Sequence, residues 1–548
     1  MAFDNSTGLS AISTLLVGLV LTAILICGYT WTSTAIFFHQ DIKSVHAKSK
    51  RDESAVPPLI PYAIPGLGST ISFSTQRIGS FFEYLRLLSR KHGGLSAFSI
   101  LLNGTRTHLI FSAPGIARMF KARELARDQL DQQLGVNVLA MTKEDAAKAF
   151  GPEDDFKEKQ STARIHSEHL LSSSAVNALT SKFMECLDAE LRADQSLKDG
   201  ADVELYSWLW QKIFRASTTA LCGSKLLEMY PDFDKDYRIW EDNVLGMLFG
   251  TPRLFARQAY AARDAVVDKL QKWLEYGYSE SSASGDPDWE PCFGARVVRK
   301  RHDFYKQQGI SMKGQAGDDL IFMAGILSNA TPATGWLLLH ILSPTSPPTF
   351  KQRIMEELRT ARREDGSIDV PALTKLPLLN SAFHETLRLY VDLLVVRQAD
   401  ADVALDQHYV RKGEMVMAPT WMTHRNPDFF ARPDEFDPER FLQEDPETGE
   451  TTYSVSGLNG RYFPFGGGHY MCPGRTFAKQ EVLGSVAVLF LNFDLHFHSF
   501  LKRTGGKMEA VGSDATGFPT LKDNYAGNQV VGIEGDMNVR IQRRAVAV

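Results

Sequence analysis

The chain has 548 residues, of which 44% are hydrophobic and 23% are charged, a composition typical of a globular protein. Its formal net charge of -5 gives no electrostatic case for nucleic acid, so we expect no nucleic-acid partner. Five scattered cysteines, an odd number, argue against a disulfide framework and favour a reducing compartment. No internal repeat or long low-complexity linker divides the chain, which predicts one large catalytic unit.

The N-terminal stretch departs from globular composition. Residues 5–38 contain no Asp, Glu, Lys, Arg or His, and residues 9–30 are long and apolar enough to span a bilayer. Basic residues follow, which places the C-terminal bulk on the cytoplasmic side. We predict a lumenal tail over residues 1–8 and a single transmembrane anchor over residues 9–30. A cleaved signal peptide is the alternative.

A basic and proline-rich linker is predicted over residues 31–68. Its second part, residues 57–68, reads PPLIPYAIPGLG and is expected to form a stiff, non-helical connector because proline disfavours a helix. The catalytic domain is then predicted to cover residues 69–548.

The body of the chain shows helical apolar spacing more often than the alternation of strands. Predicted helices include residues 80–93 and 261–277, and predicted short strands include residues 108–112 and 536–544. The predicted fold class is therefore mainly α with small β-sheets.

A long apolar run predicts a helix over residues 317–343 that crosses the body, with Asp318 as its N-cap. Pro332 cannot donate a hydrogen bond to the carbonyl of Ser328, four residues earlier, so we expect a kink at this point. A kinked helix could hold a water or oxygen there. The alternative is a chance proline in a tolerant helix, with Ser328 and Asn329 facing solvent.

Two patterns of charged residues are weak evidence of a functional role when each is taken alone. Glu385 and Arg388 lie three residues apart on a predicted helix, where a surface ion pair that contributes little is the default. Arg440 belongs to the turn-rich segment 438–441, where a solvated arginine is the default.

The strongest single signal is residues 463–481, FPFGGGHYMCPGRTFAKQE, in which Cys472 follows three consecutive glycines. Glycines leave the backbone bare and permit positive φ, so a large flat group could lie against this loop. Helical spacing after Pro473 places Cys472 before a helix N-terminus, whose dipole favours a thiolate that could ligate iron. A buried structural cysteine is the simpler alternative. Zinc bound by His469 and Cys472 is another, although no second close Cys/His pair is found.

In their order and separation these motifs resemble the cytochrome P-450 family of haem-thiolate enzymes. The resemblance covers essentially the whole chain and implies the cytochrome P-450 fold behind a transmembrane helix. It also implies haem b, iron protoporphyrin with an axial thiolate, as the cofactor. The motifs of the family correspond here to residues 385–388 (ExxR), 438–441 (PERF), and Phe465, Gly468, Cys472 and Gly474 of the cysteine loop.

The resemblance implies a role for each of these residues. Cys472 becomes the iron ligand, and the loop glycines let the porphyrin approach the backbone. One departure is Tyr470, which stands where the family usually has an arginine on a haem propionate, so more of that task falls to Arg397. The implied cofactor-binding residues are Cys472, Phe465, Gly468 and Arg397, and the implied structural network is Glu385, Arg388 and Arg440.

The family delivers protons during oxygen activation from an acid followed by a threonine on the long helix. Here these positions are Ser328 and Asn329, which we take as the candidate catalytic residues. Neither is a strong acid, although Asn329 can donate and accept hydrogen bonds. The pattern NATPATGW, with CPGR at the cysteine, resembles the subgroup of bile-acid-pathway sterol hydroxylases and prostacyclin synthase. That subgroup contains both hydroxylases and an isomerase.

The leading hypothesis is a membrane-bound monooxygenase that hydroxylates or otherwise oxidises a bulky apolar substrate with dioxygen. The substrate would be a terpenoid, sterol or polyketide of secondary metabolism. No flavin or nicotinamide motif is apparent, so electrons would come from a separate NADPH-dependent reductase. The anchor would place the enzyme in the endoplasmic reticulum membrane with its catalytic domain in the cytosol. Residues 243–255 resemble the membrane-facing entrance of the family, with plain helical core as the alternative.

Two other functions stay open. The first is a reductase-independent isomerase or dehydratase of a peroxide substrate. The second is a non-catalytic haem protein that binds or senses a ligand.

Overall fold

A computed structural model of the chain describes residues 5–51, 53–75, 79–151, 162–248, 250–281, 285–522, 527 and 529–544. Helices dominate these residues. In chain order they are α1 Asn5–Ser49, α2 Thr70–Thr75, α3 Ser80–Lys91, α4 Ala113–Lys121, α5 Asp128–Val138, α6 Lys143–Ala149, α7 Thr162–His166, α8 Ser173–Ala193, α9 Leu205–Cys222, α10 Lys225–Met229, α11 Phe233–Glu241, α12 Val244–Leu248, α13 Arg257–Glu280, α14 Arg296–Gln308, α15 Met312–Leu342, α16 Phe350–Thr360, α17 Val370–Leu373, α18 Pro377–Tyr390, α19 Thr420–His424 and α20 Arg475–Asn492.

Most strands are short and the sheets are small. The strands are β1 Ala97–Leu102, β2 Thr105–Ile110, β3 Leu125–Ala126, β4 Ala201–Glu204, β5 Trp289–Glu290, β6 Gly294–Ala295, β7 Val391–Asp392, β8 Leu394–Ala399, β9 Val403–Leu405, β10 His408–Val410, β11 Met415–Pro419, β12 Leu442–Glu444, β13 Thr451–Tyr453, β14 Phe493–Thr504, β15 Lys507–Val511, β16 Thr520–Leu521, β17 Gln529–Val530, β18 Ile533–Glu534 and β19 Asp536–Arg543. The predicted class, mainly α with small sheets, is confirmed.

The first helix is longer than the anchor predicted over residues 9–30. It runs from Asn5 to Ser49, and large apolar side chains such as Leu25 and Trp31 are exposed along it. Within the described residues, Leu15–Ser49 is the one helical span that is long and apolar enough to cross a membrane. This finding fits a single-pass anchor.

The C-terminal part of α1 docks on the body. Phe38, Ile42 and Val45 are spaced four and three residues apart, so they share one helix face, and all three are buried. The Phe38 ring lies 6.4 Å from the ring of Phe98 in β1, between centroids. The first part of the predicted linker is therefore helix packed against the first sheet, whereas residues 57–68 contain no helix, as predicted.

Two sheets flank the helical core. The larger has five strands in the order β1-β2-β11-β8-β3, and the other has four in the order β15-β14-β19-β4. Strand β8 follows α18 almost directly and carries Arg397 toward the Cys472 loop. The predicted strands at residues 108–112 and 536–544 correspond to parts of these two sheets, in β2 and β19.

Helix α15 runs through the middle of the body and packs against α9, α13, α18 and α20. It begins earlier than predicted, because the Ser311 hydroxyl accepts the Gly314 N–H at 3.1 Å and caps it at Met312. The predicted N-cap at Asp318 was wrong. Asp318 is buried inside the helix, where it accepts a hydrogen bond from Arg301 at 2.5 Å and neutralises that buried charge.

Candidate active site

The Cys472 loop joins a short 3₁₀ turn at Gly468–Tyr470 to the N-terminus of α20. The Cys472 N–H donates to the Phe465 carbonyl at 3.0 Å, which closes the loop on itself. Burial raises the pKa of the Cys472 thiol, and N–H donors from Gly474 and Arg475 oppose that shift. The two N–H donors and the helix N-terminus are ready to stabilise negative charge on sulfur, so the loop fits a thiolate bound to a metal cation.

The glycines of this loop have two different roles. A Cβ at Gly467 would lie 2.3 Å from the ring of Phe120, and one at Gly468 would lie 1.9 Å from the Phe120 carbonyl oxygen. These two glycines are required by Phe120 rather than by a cofactor. Gly466, with φ +70°, has its nearest neighbour at 3.9 Å, and Gly474 meets only the Cys472 sulfur at 3.8 Å. The open backbone that a flat group could approach is therefore at Gly466 and Gly474.

Glu385, Arg388 and Arg440 form one buried network, which we call the Glu385 network. Arg388 donates through Nε and Nη2 to the two Glu385 carboxylate oxygens at 2.7 and 2.8 Å. Arg440 Nε donates to the same carboxylate at 2.9 Å, and the Asp437 N–H adds a bond at 3.0 Å. Glu385 and Arg388 have no exposed side-chain surface. A surface ion pair, the default for this spacing, is not what the structure contains.

Arg397 is a buried cation that lacks a carboxylate partner. It is 4% exposed, and within the described residues it donates to two backbone carbonyls, that of Val396 at 2.7 Å and that of Gly467 at 3.5 Å. No Asp or Glu oxygen lies within 4.0 Å of it among the described residues. Burial lowers its pKa to about 10, with a further contribution from the nearby charge of Arg127. A buried guanidinium without an anion fits a site that receives a carboxylate from a cofactor.

Tyr470 occupies the space beside this guanidinium. The Arg397 guanidinium carbon lies 4.5 Å from the centre of the Tyr470 ring, and that of Arg127 lies 5.9 Å away. Arg127 is paired with Asp131 at 2.6 Å. Tyr470 stands where the family usually has an arginine. Its neutral ring contacts and orients the Arg397 guanidinium and does not compete with it for an anion.

Helix α15 exposes one narrow face in an otherwise buried stretch, and we call it the open face of α15. Between residues 314 and 339 five residues are accessible, and their spacing of one, four, seven and eight places them on a single side. A Cβ at Gly325, in the middle of the face, would meet no atom within 4 Å. The helix thus borders an open space there. The residues of the open face are Ile321, Phe322, Gly325, Ser328 and Asn329.

The two candidate catalytic residues lie together on this face. The Ser328 hydroxyl is 2.9 Å from the Tyr237 hydroxyl of α11. Glu241 follows Tyr237 by four residues and lies on the same face of α11, and burial raises its pKa above its ordinary value. The face of α11 that meets Ser328 therefore carries an acid, whereas the open face of α15 has none.

Asn329 connects α15 to the C-terminal part of the chain. Its Oδ1 accepts the Val530 N–H at 3.2 Å, and its Nδ2 donates to Gln529 Oε1 and, at 3.2 Å, to the Gly325 carbonyl. Strand β17, which contains Gln529 and Val530, also pairs with β7. The helix continues through Pro332 to Leu342. The Asn329 amide thus spans two elements and is not turned to bulk solvent.

Residues 243–255 divide into buried and exposed parts. Met247 is fully buried, whereas Leu254 and Phe255 are 63% and 79% exposed. The buried part belongs to the helical core, and the membrane-facing entrance stays a prediction for the exposed part; Phe249 lies outside the described residues.

Zinc finds no support in the described part of the chain. No group of three or more His, Cys, Asp or Glu side chains there is placed to hold a metal ion. Structural zinc needs four ligands, so the pair of His469 and Cys472 is insufficient.

Three side chains at the site escaped the sequence analysis: Phe120, Tyr237 and Glu241. For Glu241 a signal existed, because it continues the buried stripe of Phe233 and Tyr237 at intervals of four residues. An acid on the apolar side of an amphipathic helix indicates a buried polar contact. Nothing local in the sequence marks Phe120.

The helical fold, the half-buried Cys472 thiol at a helix N-terminus and the Arg397 guanidinium without a carboxylate partner among the described residues define the class of haem-thiolate proteins. Within that class, the chain belongs to the cytochrome P450 family. The sequence model of that family, described as Cytochrome P450, matches residues 57–504. The resemblance proposed from the motifs is thereby confirmed, and so are the oxidoreductase class and the haem-thiolate cofactor.

Relatives of this chain come from several kingdoms. It is 29% identical over 453 residues to the cytochrome P450 monooxygenase poxD of Penicillium oxalicum, covering 80% of this chain and 87% of the relative. It is 27% identical over 399 residues to the cytochrome P450 monooxygenase calL of Penicillium decumbens, covering 69% and 71%. Cytochrome P450 7A1 of Sus scrofa is 26% identical over 481 residues, covering 81% and 88%.

Proposed function

We propose that the protein is a membrane-bound monooxygenase that hydroxylates or otherwise oxidises a bulky apolar substrate with dioxygen. The substrate class is a terpenoid, sterol or polyketide of secondary metabolism, and the electrons come from an NADPH-dependent reductase. The observation that carries this proposal is the open face of α15, where the partly exposed Ile321 and the bare backbone of Gly325 lie next to the polar pair Ser328 and Asn329. Apolar walls with a few placed polar groups are typical of sites for bulky apolar ligands.

Haem b, when bound, supplies the oxygen-activating chemistry, and the chain supplies its binding. Cys472 holds the iron, with its sulfur supported by the N–H groups of Gly474 and Arg475. Arg397 binds a carboxylate of the cofactor, and Gly466 leaves room for a flat ring. The Glu385 network holds the segment that follows α19, because Arg388 and Arg440 also donate to backbone carbonyls of residues 424–435.

On the substrate side, the residues orient the substrate and exclude water. Asn329 holds β17 against α15, so that Gln529 and Val530 close one wall of the open space. Ser328 presents a hydroxyl that Tyr237 orients. These contacts keep a defined hydrogen-bonding edge next to an apolar surface, which positions a bulky substrate and limits stray water.

The anchor supports a membrane location. The exposed apolar length of α1 and the exposed Leu254 and Phe255 provide two apolar surfaces for lipid contact. We place the protein in the endoplasmic reticulum membrane as a single-pass protein with a cytosolic catalytic domain. Fractionation and protease protection of tagged full-length protein test this, and a protected C-terminal tag contradicts it.

The carbon monoxide difference spectrum of the full-length protein tests the function. We expect the red-shifted thiolate band both with dithionite and with NADPH plus a microsomal reductase. Labelled dioxygen should then appear in a product when a lipid extract is supplied. If dithionite alone reduces the haem and no label is incorporated, monooxygenation is wrong.

One observation favours a second function. The open face of α15 carries no carboxylate of its own, which suits a reductase-independent isomerase or dehydratase of a peroxide. That enzyme would convert a supplied lipid hydroperoxide without NADPH and without incorporating labelled dioxygen.

A further inference from the structure

A polar cavity of about 240 Å³ lies where the first helix meets the first sheet. It is smaller than the roughly 300–1,000 Å³ of pockets for drug-sized apolar ligands, and none of its lining residues belongs to the open face of α15. Helix α1 contributes Asp41, Ser44 and Lys48, which are three and four residues apart and so share one helix face. Arg106 of β2 and Arg411, between β10 and β11, complete the charged lining. Three cations and one acid therefore border one small space.

The three cations of this cavity lack carboxylate partners. Within the described residues, no Asp or Glu oxygen lies within 4.0 Å of a side-chain nitrogen of Lys48, Arg106 or Arg411. The Arg106 Nη2 donates to the Pro57 carbonyl at 3.0 Å, whereas its buried Nε has no hydrogen-bond partner in the described part of the chain. Burial also lowers the pKa of Arg106. A partly buried guanidinium that has donors to spare favours an anionic ligand.

Most of the negative groups nearby already have partners. The Glu414 carboxylate is bonded to His108 at 2.8 Å and accepts the Arg411 N–H at 2.8 Å. At the C-terminus of α1, the Lys48 carbonyl accepts two backbone N–H groups, at 2.8 and 3.0 Å, which reduces the free negative charge of the helix end. Asp41 is the one acid of the lining, so three cations and one acid leave a net charge of +2.

The position of the cavity along α1 indicates where its ligand comes from. Phe37 is the last large exposed apolar side chain of α1 among the described residues, and Asp41 follows it by four residues, or about 6 Å along the helix. The headgroup layer of a bilayer is about 5–7 Å thick on each side. With the apolar part of α1 in a membrane, the near end of the cavity therefore lies at the level of the lipid phosphates.

We propose that this cavity binds the phosphate group of an anionic membrane phospholipid through Lys48, Arg106 and Arg411. The proposal rests on the membrane location given above and is independent of the oxidation reaction. A guanidinium can donate two parallel hydrogen bonds to a phosphate, and a lysine next to the membrane surface adds the attraction of a point charge. The bound lipid joins α1 to the first sheet and so fixes the orientation of the body against the membrane.

Native mass spectrometry of the haem-loaded, full-length protein in detergent tests the site, with dioleoyl phosphatidic acid and dioleoyl phosphatidylcholine as probes. We expect the wild type to bind one phosphatidic acid at least tenfold more tightly than phosphatidylcholine. Lys48→Ala combined with Arg411→Ala changes two exposed side chains and should weaken phosphatidic acid binding at least tenfold. Lys43→Ala combined with Lys412→Ala is the matched control, because it removes the same charge from exposed positions outside the cavity. Equal losses in the two double variants overturn the proposal.

Asp41→Asn tests the electrostatic basis with the opposite sign. The change removes the one acid of the lining and keeps a side-chain oxygen that can accept the Leu59 N–H, which lies 3.5 Å from Asp41 Oδ2. We expect phosphatidic acid to bind several times more tightly to this variant. Weaker binding contradicts an anion site at this place.

Two further measurements separate the possible sources of the phosphate and the dependence on the membrane. If inorganic phosphate at millimolar concentration displaces phosphatidic acid completely, the site takes a soluble anion and the assignment to a lipid is wrong. Flotation with vesicles of pure phosphatidylcholine tests the anchor alone. A protein that does not float with them contradicts the proposed membrane location, whereas a protein that floats but shows no preference for phosphatidic acid contradicts this site only.

Discussion

The Glu385 network and the open face of α15 provide partners for their polar side chains in opposite ways. In the Glu385 network a single carboxylate receives two arginines and a backbone N–H, so every strong charge has a partner within the protein. On the open face, Ser328 and Asn329 take partners from α11 and β17 and still border an open space. The Glu385 network therefore stabilises the fold, whereas the open face of α15 can still form hydrogen bonds to a ligand.

The difference lies also in sequence distance. Glu385 and Arg388 are neighbours on one helix, and Arg440 is 55 residues away in a recognisable segment. The partners of Ser328 and Asn329 are 91 and 201 residues away and belong to no motif. The comparison predicts that changes near Cys472 act on the whole protein, whereas changes on the open face alter chemistry and local order.

The largest effect is expected for Cys472→Ala, which removes the sole thiol of the loop. The haem should lose its thiolate-type carbon monoxide band completely, because the neighbouring Met471 is a thioether and cannot form a thiolate. The measurement is the reduced carbon monoxide difference spectrum. Cys186→Ala, at a half-buried cysteine of α8, is the control and should keep the band. An unchanged band in Cys472→Ala would mean that another residue is the ligand.

Glu385→Ala should come next, because it leaves Arg388 and Arg440 buried without their counter-charge. We expect a loss of about 3–5 kcal/mol in the free energy of unfolding and failure to incorporate haem. Haem content and denaturant unfolding of the purified protein measure both. Arg353→Ala breaks the exposed ion pair with Glu439 and should cost about 0–1 kcal/mol. A stable, haem-loaded Glu385→Ala protein would contradict the structural role.

Arg397→Met tests the link between the Cys472 loop and the cofactor. Loss of charge-assisted hydrogen bonds of about 1.5–3 kcal/mol should speed haem loss roughly ten- to hundredfold, measured by transfer to an excess of an apoprotein acceptor. The control is Arg127→Met, since Arg127 is already paired with Asp131 and should matter less. Equal rates for the two variants would remove Arg397 from the cofactor-binding residues.

Asn329→Ala tests the contact between the open face of α15 and β17. It removes the acceptor of the Val530 N–H, so the exchange protection of that amide should fall about tenfold while global stability changes little. Hydrogen peroxide released per NADPH should rise, because the wall beside the substrate loosens. Asn329→Asp keeps the acceptor oxygen and should keep Val530 protected. Unchanged protection and coupling in Asn329→Ala would make this residue irrelevant to the site.

The smallest effect concerns Asp392, which lies behind the C-terminal segment. Burial raises its pKa to about 7 against an ordinary value of 3.8. The folded protein therefore holds a proton that the unfolded chain has already released, so stability falls as pH rises between these two values and is level above them. Asp392→Asn should remove this pH dependence. Between pH 5 and 8 the melting temperature of the wild type should fall by a few degrees more than that of the variant. Parallel slopes for wild type and variant would contradict the shift.

Local patterns were sufficient for much of the fold. The helices α3, α13 and α20 were predicted from apolar spacing, since one turn of helix repeats within a few residues and needs no distant partner. The N-cap of α15 was misplaced by seven positions, because the choice between Ser311 and Asp318 depended on a distant arginine. Asp318 was needed to balance Arg301, and only packing brings the two together.

The sequence by itself determined the class of the protein. Cys472, its glycines and the spacing of Glu385 and Arg388 are contiguous patterns whose geometry follows from a loop and one helix turn. Tertiary structure alone decided what surrounds the open face of α15. Whether Ser328 meets a second hydroxyl and whether Asn329 meets a backbone amide depend on contacts between segments far apart in the chain. Those contacts are set by the burial of whole helices rather than by any local preference, so no short pattern encodes them.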